Sequence, residues 1–182
     1  KLYKKILMKI HNIADSYQLS SSYSVILCDL WGVVHNGKEI FEQSKKFLTQ
    51  VKADGKKIVL ISNAPRPNLV VEDQLINKLG LSKDLYDFIV TSGDITAISI
   101  NDKRFGSSYY HLGPTKDKDL LENIKLDQKD NLVDADFVLC TGIDDDEIET
   151  VNDYSGVLNE MKKLELLMVC ANPDKIVYRG DR

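Results

Sequence analysis

The feature that most constrains this chain is a repeated alternation of two kinds of segment. Short, β-rich apolar runs end in small or polar residues, and longer stretches with helical periodicity follow them. The strands read as 24–29 (SVILCD), 57–62 (KIVLIS), 87–91 (DFIVT), 108–112 (SYYHL), 137–141 (FVLCT) and 166–170 (LLMVC). The helices between them read as about 42–54, 67–79, 93–101, 116–125 and 147–163. Gly55 and Gly80 each follow a helical stretch, where glycine commonly closes a helix. Pro65 and Pro67 stand just before one, where proline is tolerated. The acidic run Asp144–Asp145–Asp146–Glu147 lacks the spacing of a calcium-binding loop and reads as charge favouring a helix N-terminus. Strands alternating with helices imply parallel pairing and right-handed crossovers. The runs VILC and IVLI are almost wholly apolar, as strands covered on both faces are. The fold class expected is therefore α/β, with a doubly wound, Rossmann-like parallel sheet.

Composition narrows the function. A chain of 182 residues can bury a proper core, as one large domain or one domain with an insert. Its charges are mixed, with a net charge of −4, which argues against a nucleic-acid binder with a basic face. A small phosphorylated ligand stays open, because a few amides and one metal ion can hold phosphate on an acidic protein. No stretch approaches the roughly 18 apolar residues of a membrane span. In the N-terminal segment, Ile6, Ile10, Ile13 and Tyr17 follow helical spacing, and Lys9 interrupts the apolar run. This predicts a packed amphipathic helix within 1–22 rather than a signal peptide, with a membrane-surface or targeting role as the alternative. Cys28, Cys140 and Cys170 each lie in an apolar run, in a spacing that fits no zinc pattern. They read as buried, reduced thiols of a cytoplasmic protein.

In an open parallel sheet, ligands gather beyond the carboxyl ends of the strands. Asp29 ends the first strand; Ser62 and Asn63 end the second. The segment between them has the length of one βαβ unit, so Asp29 and Ser62 are expected on the same rim, one strand apart. After Ser62 the chain runs through Ala64–Pro65–Arg66–Pro67 into a helix, whose free amides can receive phosphate oxygens. A carboxylate here can attack phosphorus, while a hydroxyl and amides hold the equatorial oxygens. On spacing alone an equally good account remains: Asp29 closes a turn and Ser62–Asn63 caps a helix.

The words themselves add a resemblance. Cys28–Asp29–Leu30–Trp31–Gly32–Val33–Val34–His35–Asn36–Gly37 resembles the first motif of haloacid dehalogenase-type phosphatases, followed by a short flap (38–41) and a helix. Ile61–Ser62–Asn63–Ala64 resembles the second motif. IVTSGDITA (89–97), YYHLG (109–113), FVLCTGID (137–144) and ANPD (171–174) resemble the large α/β cap of the class IIA subgroup. The first motif is also similar to that of a branch reading D-x-W-G-V-x-H. The resemblance spans about residues 24–175. It implies a magnesium-dependent phosphohydrolase with Asp29 as nucleophile and metal ligand, and Ser62 and Asn63 on the phosphoryl group. It further implies a metal contact from the Trp31 carbonyl, a Mg2+ cofactor and a small phosphorylated substrate.

Two departures qualify that picture. The family pattern is D-x-D-G, whose second Asp serves as general acid and base; here the position is Trp31, and His35 on the flap is the nearest candidate to replace it, the alternative being that His35 is only a partly buried flap residue. In the family, a lysine motif and a final acidic motif follow the cap, whereas this chain ends at Arg182, soon after Asn172–Pro173–Asp174. The expected organisation is an N-terminal helix (1–22), the N-terminal half of the core (23–83), a cap (84–174) and a return segment (175–182) toward a core half that is absent. The competing reading is a catalytically impaired, phospholigand-binding or interaction protein that keeps the fold. No nucleic-acid or membrane partner is expected, and self-association stays open.

Overall fold

A computed structural model of the chain describes Tyr17, Ser20, residues 21–145 and residues 148–174. The amphipathic helix expected within 1–22 and the return segment 175–182 lie outside the described residues, apart from the last few positions of the former.

The alternation resolves into two parallel sheets. The first has the order β1–β2–β3, with β1 Val25–Asp29, β2 Lys57–Ser62 and β3 Phe88–Thr91. The second has the order β5–β4–β6–β7, with β4 Ser108–Leu112, β5 Asp127–Lys129, β6 Phe137–Cys140 and β7 Leu167–Cys170. All the ladders are parallel. The helices are α1 Glu42–Ala53, α2 Asn68–Asp73, α3 Ser92–Asn101, α4 Lys118–Leu121 and α5 Ser155–Lys163. This is the expected Rossmann-like α/β class.

Several boundaries differ from the sequence reading. The helix expected over 67–79 is α2 continued by a π-helical turn, Gln74–Lys78. The helix expected over 116–125 shortens to α4 after a 3-10 turn at Thr115–Asp117. The last helix starts later than 147, because Thr150 and Asp153 form a reciprocal capping box and a 3-10 turn, Val151–Tyr154, leads into α5. The acidic run therefore does not supply its first turn; Asp146 and Glu147 of that run lie outside the described residues. Strand β5 is polar (DQK) and exposed, so it offers no apolar run to read. A boundary at 84 would cut β3 from its sheet: Val59, Leu60, Ile61 and Ser62 pair in register with Phe88, Ile89, Val90 and Thr91.

Three buried clusters form on the two sheets, the third made of Leu132, Val138 and Met161. Leu48 and Val51 of α1, Leu75 of the π turn and Ile58 and Leu60 of β2 bury on the first. Tyr109, Leu120, Phe137 and Leu139 bury on the second. The opposite face of the first sheet stays open among the described residues: Val25 is 47% exposed, Leu27 66%, Phe88 63% and Val90 37%. Isolated exposed apolar residues are ordinary, but a contiguous strand face of this kind marks an interaction surface.

Asp87, at the entry to β3, fastens the first sheet to α1. Its carboxylate accepts from the Ile58 amide at 2.8 Å, from Lys52 Nζ at 2.8 Å and from Lys57 Nζ at 3.0 Å. Lys52 foremost, then the Ile58 amide and Lys57, hold this carboxyl well below the usual carboxylate range. A depressed folded-state pKa contributes stability that is present above the unfolded value of about 3.9 and is lost as pH falls through the folded value. Asp87→Asn should therefore lower Tm at neutral pH, with the gap to wild type narrowing as pH drops below about 4. Thermal melts of both proteins across that range check this.

Candidate active site

β1 delivers Asp29 to the carboxyl edge of the first sheet. It is paired in register with Ile61, one residue before Ser62, and Ser62 is paired with Thr91. Asp29, Ser62 and Thr91 therefore lie along one rim, the place where parallel α/β sheets gather ligands. Asp29 is exposed there, Asn63 is exposed beside it, and Ser62 is buried.

The chain turns sharply after Asp29. Buried Leu30 anchors the turn, and its carbonyl accepts from the amides of Val33 (3.3 Å), Val34 (2.8 Å) and His35 (3.2 Å). Asn36 Oδ1 accepts from the Lys38 and Glu39 amides at 3.0 Å, and an antiparallel bridge joins His35 to Ile40. Together these close the expected flap. The Trp31 indole lies against this flap, 5.4 Å from the His35 ring in an edge-on arrangement. Gly37 permits that packing: a Cβ at Gly37 would come within 2.6 Å of the indole edge.

His35 is 5% exposed. Its Nδ1 accepts from the Gly37 amide at 3.0 Å, which assigns the proton of the neutral ring to Nε2. Burial holds its pKa below the ordinary imidazole value; Asp29 opposes that shift and Arg66 adds to it. In this tautomer the ring is a hydrogen-bond donor at Nε2.

His35, Trp31 and Ser62 line one narrow cleft together with Arg66, Ala64 and Gln74. Ser62 Oγ accepts from the Ala64 amide at 3.2 Å, which fixes the hydroxyl at the strand end. Arg66, which sequence reasoning placed in a loop without a role, is held by Gln74 Oε1 at 3.0 Å. One of the amides expected to receive phosphate at the start of α2 is engaged otherwise. The Asn68 N–H donates to both carboxylate oxygens of Asp94 at 3.2 Å. Asp94 comes from the first turn of α3, where its own amide is capped by Thr91 Oγ1 at 3.1 Å. Two helix starts are thus locked to each other, and one of the amides expected to be free is taken by a carboxylate 26 residues away.

The same junction draws the second sheet toward the rim. Gly93 donates to the Ala64 carbonyl at 3.1 Å, Ser92 Oγ donates to the Ala171 carbonyl, and Asn63 Nδ2 donates to Asp174. At the end of β4, His111 Nε2 lies 3.0 Å from Thr141 Oγ1. Burial raises the Asp117 carboxyl, against the pull of Thr141, Lys116, His111 and Arg66. Arg66 thus acts electrostatically on groups of both sheets. Close approach is obligatory at Gly93: a Cβ there would meet Arg66 backbone atoms at 2.5–2.6 Å. Backbone cannot yield as a flexible side chain can, so Gly93→Ala should cost about 1–3 kcal/mol. Urea unfolding of the variant beside wild type measures it.

Among the described residues, no group of three or more His, Cys, Asp or Glu side chains converges as a metal site. Asp29 offers a carboxylate at the end of β1, and those of Asp94 and Asp174 nearby are engaged by the Asn68 and Asn63 amides. Magnesium usually takes one or two carboxylates, keeps several waters and completes its shell with phosphate oxygens. The donor set fits part of such a shell and not a closed cage.

A parallel Rossmann-like sheet carrying an exposed aspartate at its first strand end, with a serine on the adjacent end, has the form of the open α/β sheets that bind ligands beyond their strand ends. Comparison with known families makes the assignment specific. The family model described as haloacid dehalogenase-like hydrolase matches residues 26–127. A haloacid dehalogenase-like hydrolase from Brucella suis is 35% identical over 95% of the chain, with a TM-score of 0.83. This chain belongs to the haloacid dehalogenase-like hydrolases. It spans 64% of the length of the Brucella protein. The fold is also similar to a 4-nitrophenylphosphatase from Thermotoga maritima, at 23% identity over 90% of this chain and 58% of that one, TM-score 0.60. A glycerol phosphate phosphatase from Mycobacterium tuberculosis, in complex with magnesium, has 20% identity over 85% of this chain and 46% of that one, TM-score 0.60. Among curated proteins none matches.

Proposed function

We propose that the protein containing this chain is a magnesium-dependent phosphomonoesterase acting on a small phosphorylated metabolite in the cytoplasm. Its intermediate is an aspartyl phosphate on Asp29. The observation that carries this reading is the exposed Asp29 carboxylate on the sheet rim beside Ser62, in a haloacid dehalogenase-like chain. The phosphatase descriptions of the Thermotoga and Mycobacterium neighbours, and the magnesium of the latter, support it.

In this reading an Asp29 oxygen attacks phosphorus, the ester P–O bond breaks, and the leaving oxygen takes its proton from solvent; water then cleaves the aspartyl phosphate to inorganic phosphate and free Asp29. Ser62 donates its hydroxyl proton to an equatorial phosphoryl oxygen while its own oxygen stays fixed by the Ala64 amide. Asn63 turns its amide from Asp174 to the same group. The Trp31 carbonyl and Asp29 would hold the metal, which when bound offsets the repulsion between carboxylate and phosphate. His35, with Nδ1 engaged by Gly37, takes part as an Nε2–H donor and not as the base that the indole position lacks. The second sheet selects the substrate, with Arg66 between the two sheets as an additional anion contact.

Phosphate release from 4-nitrophenyl phosphate and from a panel of small phosphomonoesters, by the full-length protein with and without magnesium, tests this. Metal-dependent release is expected. Binding of phosphomonoesters without release from any of them would establish the impaired, ligand-binding protein instead.

A further inference from the structure

Cys140 and Cys170 were expected to be buried, separate thiols, and the fold places them side by side. Cys140 closes β6 and Cys170 closes β7, and the two are direct partners in the parallel ladder. In-register neighbours of a parallel pair project from the same face of the sheet, with strands about 4.8 Å apart. Both cysteines are reduced; Cys140 is half-buried and Cys170 is exposed. Their contact is direct enough to alter ionisation: burial first, then the neighbouring Cys170 sulfur, raises the Cys140 thiol. We propose that Cys140 and Cys170 form a thiol–disulfide exchange site that closes reversibly into an intrachain disulfide with small disulfide oxidants of the glutathione type.

The chemistry divides the two roles by exposure. The Cys170 thiolate attacks one sulfur of the small disulfide, and one small thiolate leaves and takes up a proton. The Cys140 thiol then loses its proton to solvent, and its sulfur attacks Cys170, expelling the second small thiolate. Two protein thiols become one disulfide, and the oxidant becomes two thiols.

Geometry sets how firmly the bond holds. A relaxed disulfide wants Cβ atoms about 3.8 Å apart, so the ladder must close by about an ångström. Both cysteines are the last residues of their strands. A bond made under that constraint is readily reduced again, as labile and regulatory disulfides are.

The location gives the bond a consequence. The Ala171 amide donates to the Cys140 carbonyl at 2.8 Å, and the Ala171 carbonyl receives the Ser92 hydroxyl. Asp174 receives the Asn63 amide. Oxidation would therefore fasten β6 to the segment that reaches the candidate site. Cys28 serves as the internal control: it lies on β1 of the other sheet, and burial pushes its thiol up to about 11.

The test is to equilibrate the purified protein in glutathione buffers from reducing to oxidising, quench with acid, unfold, trap all free thiols with N-ethylmaleimide and map the peptides by mass. The expected result is joint loss of alkylation at Cys140 and Cys170, a peptide pair linked by a disulfide, retained alkylation at Cys28 and recovery with dithiothreitol. In Cys140→Ser, Cys170 should stop at the mixed disulfide with glutathione. Cys140 alkylated in full across the range, a bond to Cys28, or links only between separate chains would overturn the proposal. The wild-type map decides the matter even if the variant fails to fold.

Discussion

With an activated aryl phosphate, the full-length protein should show a rapid burst of phenol followed by slow steady turnover, and Trp31→Asp should speed the slow phase by about 10²-fold or more. Attack by Asp29 on such an ester needs alignment and little help from an acid, because the leaving group is already good. Breakdown of the aspartyl phosphate needs a base to activate water. Indole offers none, and His35 has its Nδ1 lone pair committed to the Gly37 amide. A positioned acid–base group is ordinarily worth about 10²- to 10⁴-fold, which sets the size of the expected gain. The substitution also removes the ring that fills the space over Gly37 and meets His35, so some loss of Tm accompanies it. Rapid-quench kinetics on both proteins separate the two phases. Equal slow phases would show that the indole position is not the bottleneck.

The second large effect is at the nucleophile. Asp29→Asn keeps the size of the side chain and removes its charge, and it should lower kcat by on the order of 10³-fold or more, as loss of a nucleophile does. Stability should hold, because Asp29 is exposed at the strand end and substitutions at such positions usually stay within about 0.5 kcal/mol. Steady-state rates with 4-nitrophenyl phosphate and urea melts of both proteins give the two numbers. Retained turnover, with contaminating phosphatase excluded, contradicts the role assigned to Asp29.

Much of the frame was legible because the sequence writes parallel sheets in a plain hand. Apolar runs such as VILC and IVLI demand strands, and a polar residue at each end marks the rim; the exact register, Asp29 with Ile61, is set by the fold. The same runs misled in one respect. A strand apolar on both faces cannot say what covers each face, and here Leu27 and Ile61 lie open among the described residues. Strand β5 was invisible because DQK is held as an edge by its neighbour and not by burial. The grouping of β3 with the first sheet, and the capture of the Asn68 amide by Asp94, depend on contacts between distant segments. No local spacing encodes them. The Gly93 approach to Arg66 belongs to the same class: a glycine after Thr91–Ser92 reads as helix entry, and only the packed backbone shows why a methyl group cannot stand there.

The central claim is that Asp29 itself carries the phosphoryl group. The most direct measurement is to acid-quench the full-length protein during turnover of an aryl phosphate and locate the phosphoryl adduct by peptide mass mapping. Slow breakdown of the intermediate makes it abundant, so the adduct should sit on the peptide holding Asp29 in wild type, persist longer there than in Trp31→Asp, and vanish in Asp29→Asn. An adduct on His35 or any other residue, or none in wild type while phosphate is released, would contradict the account.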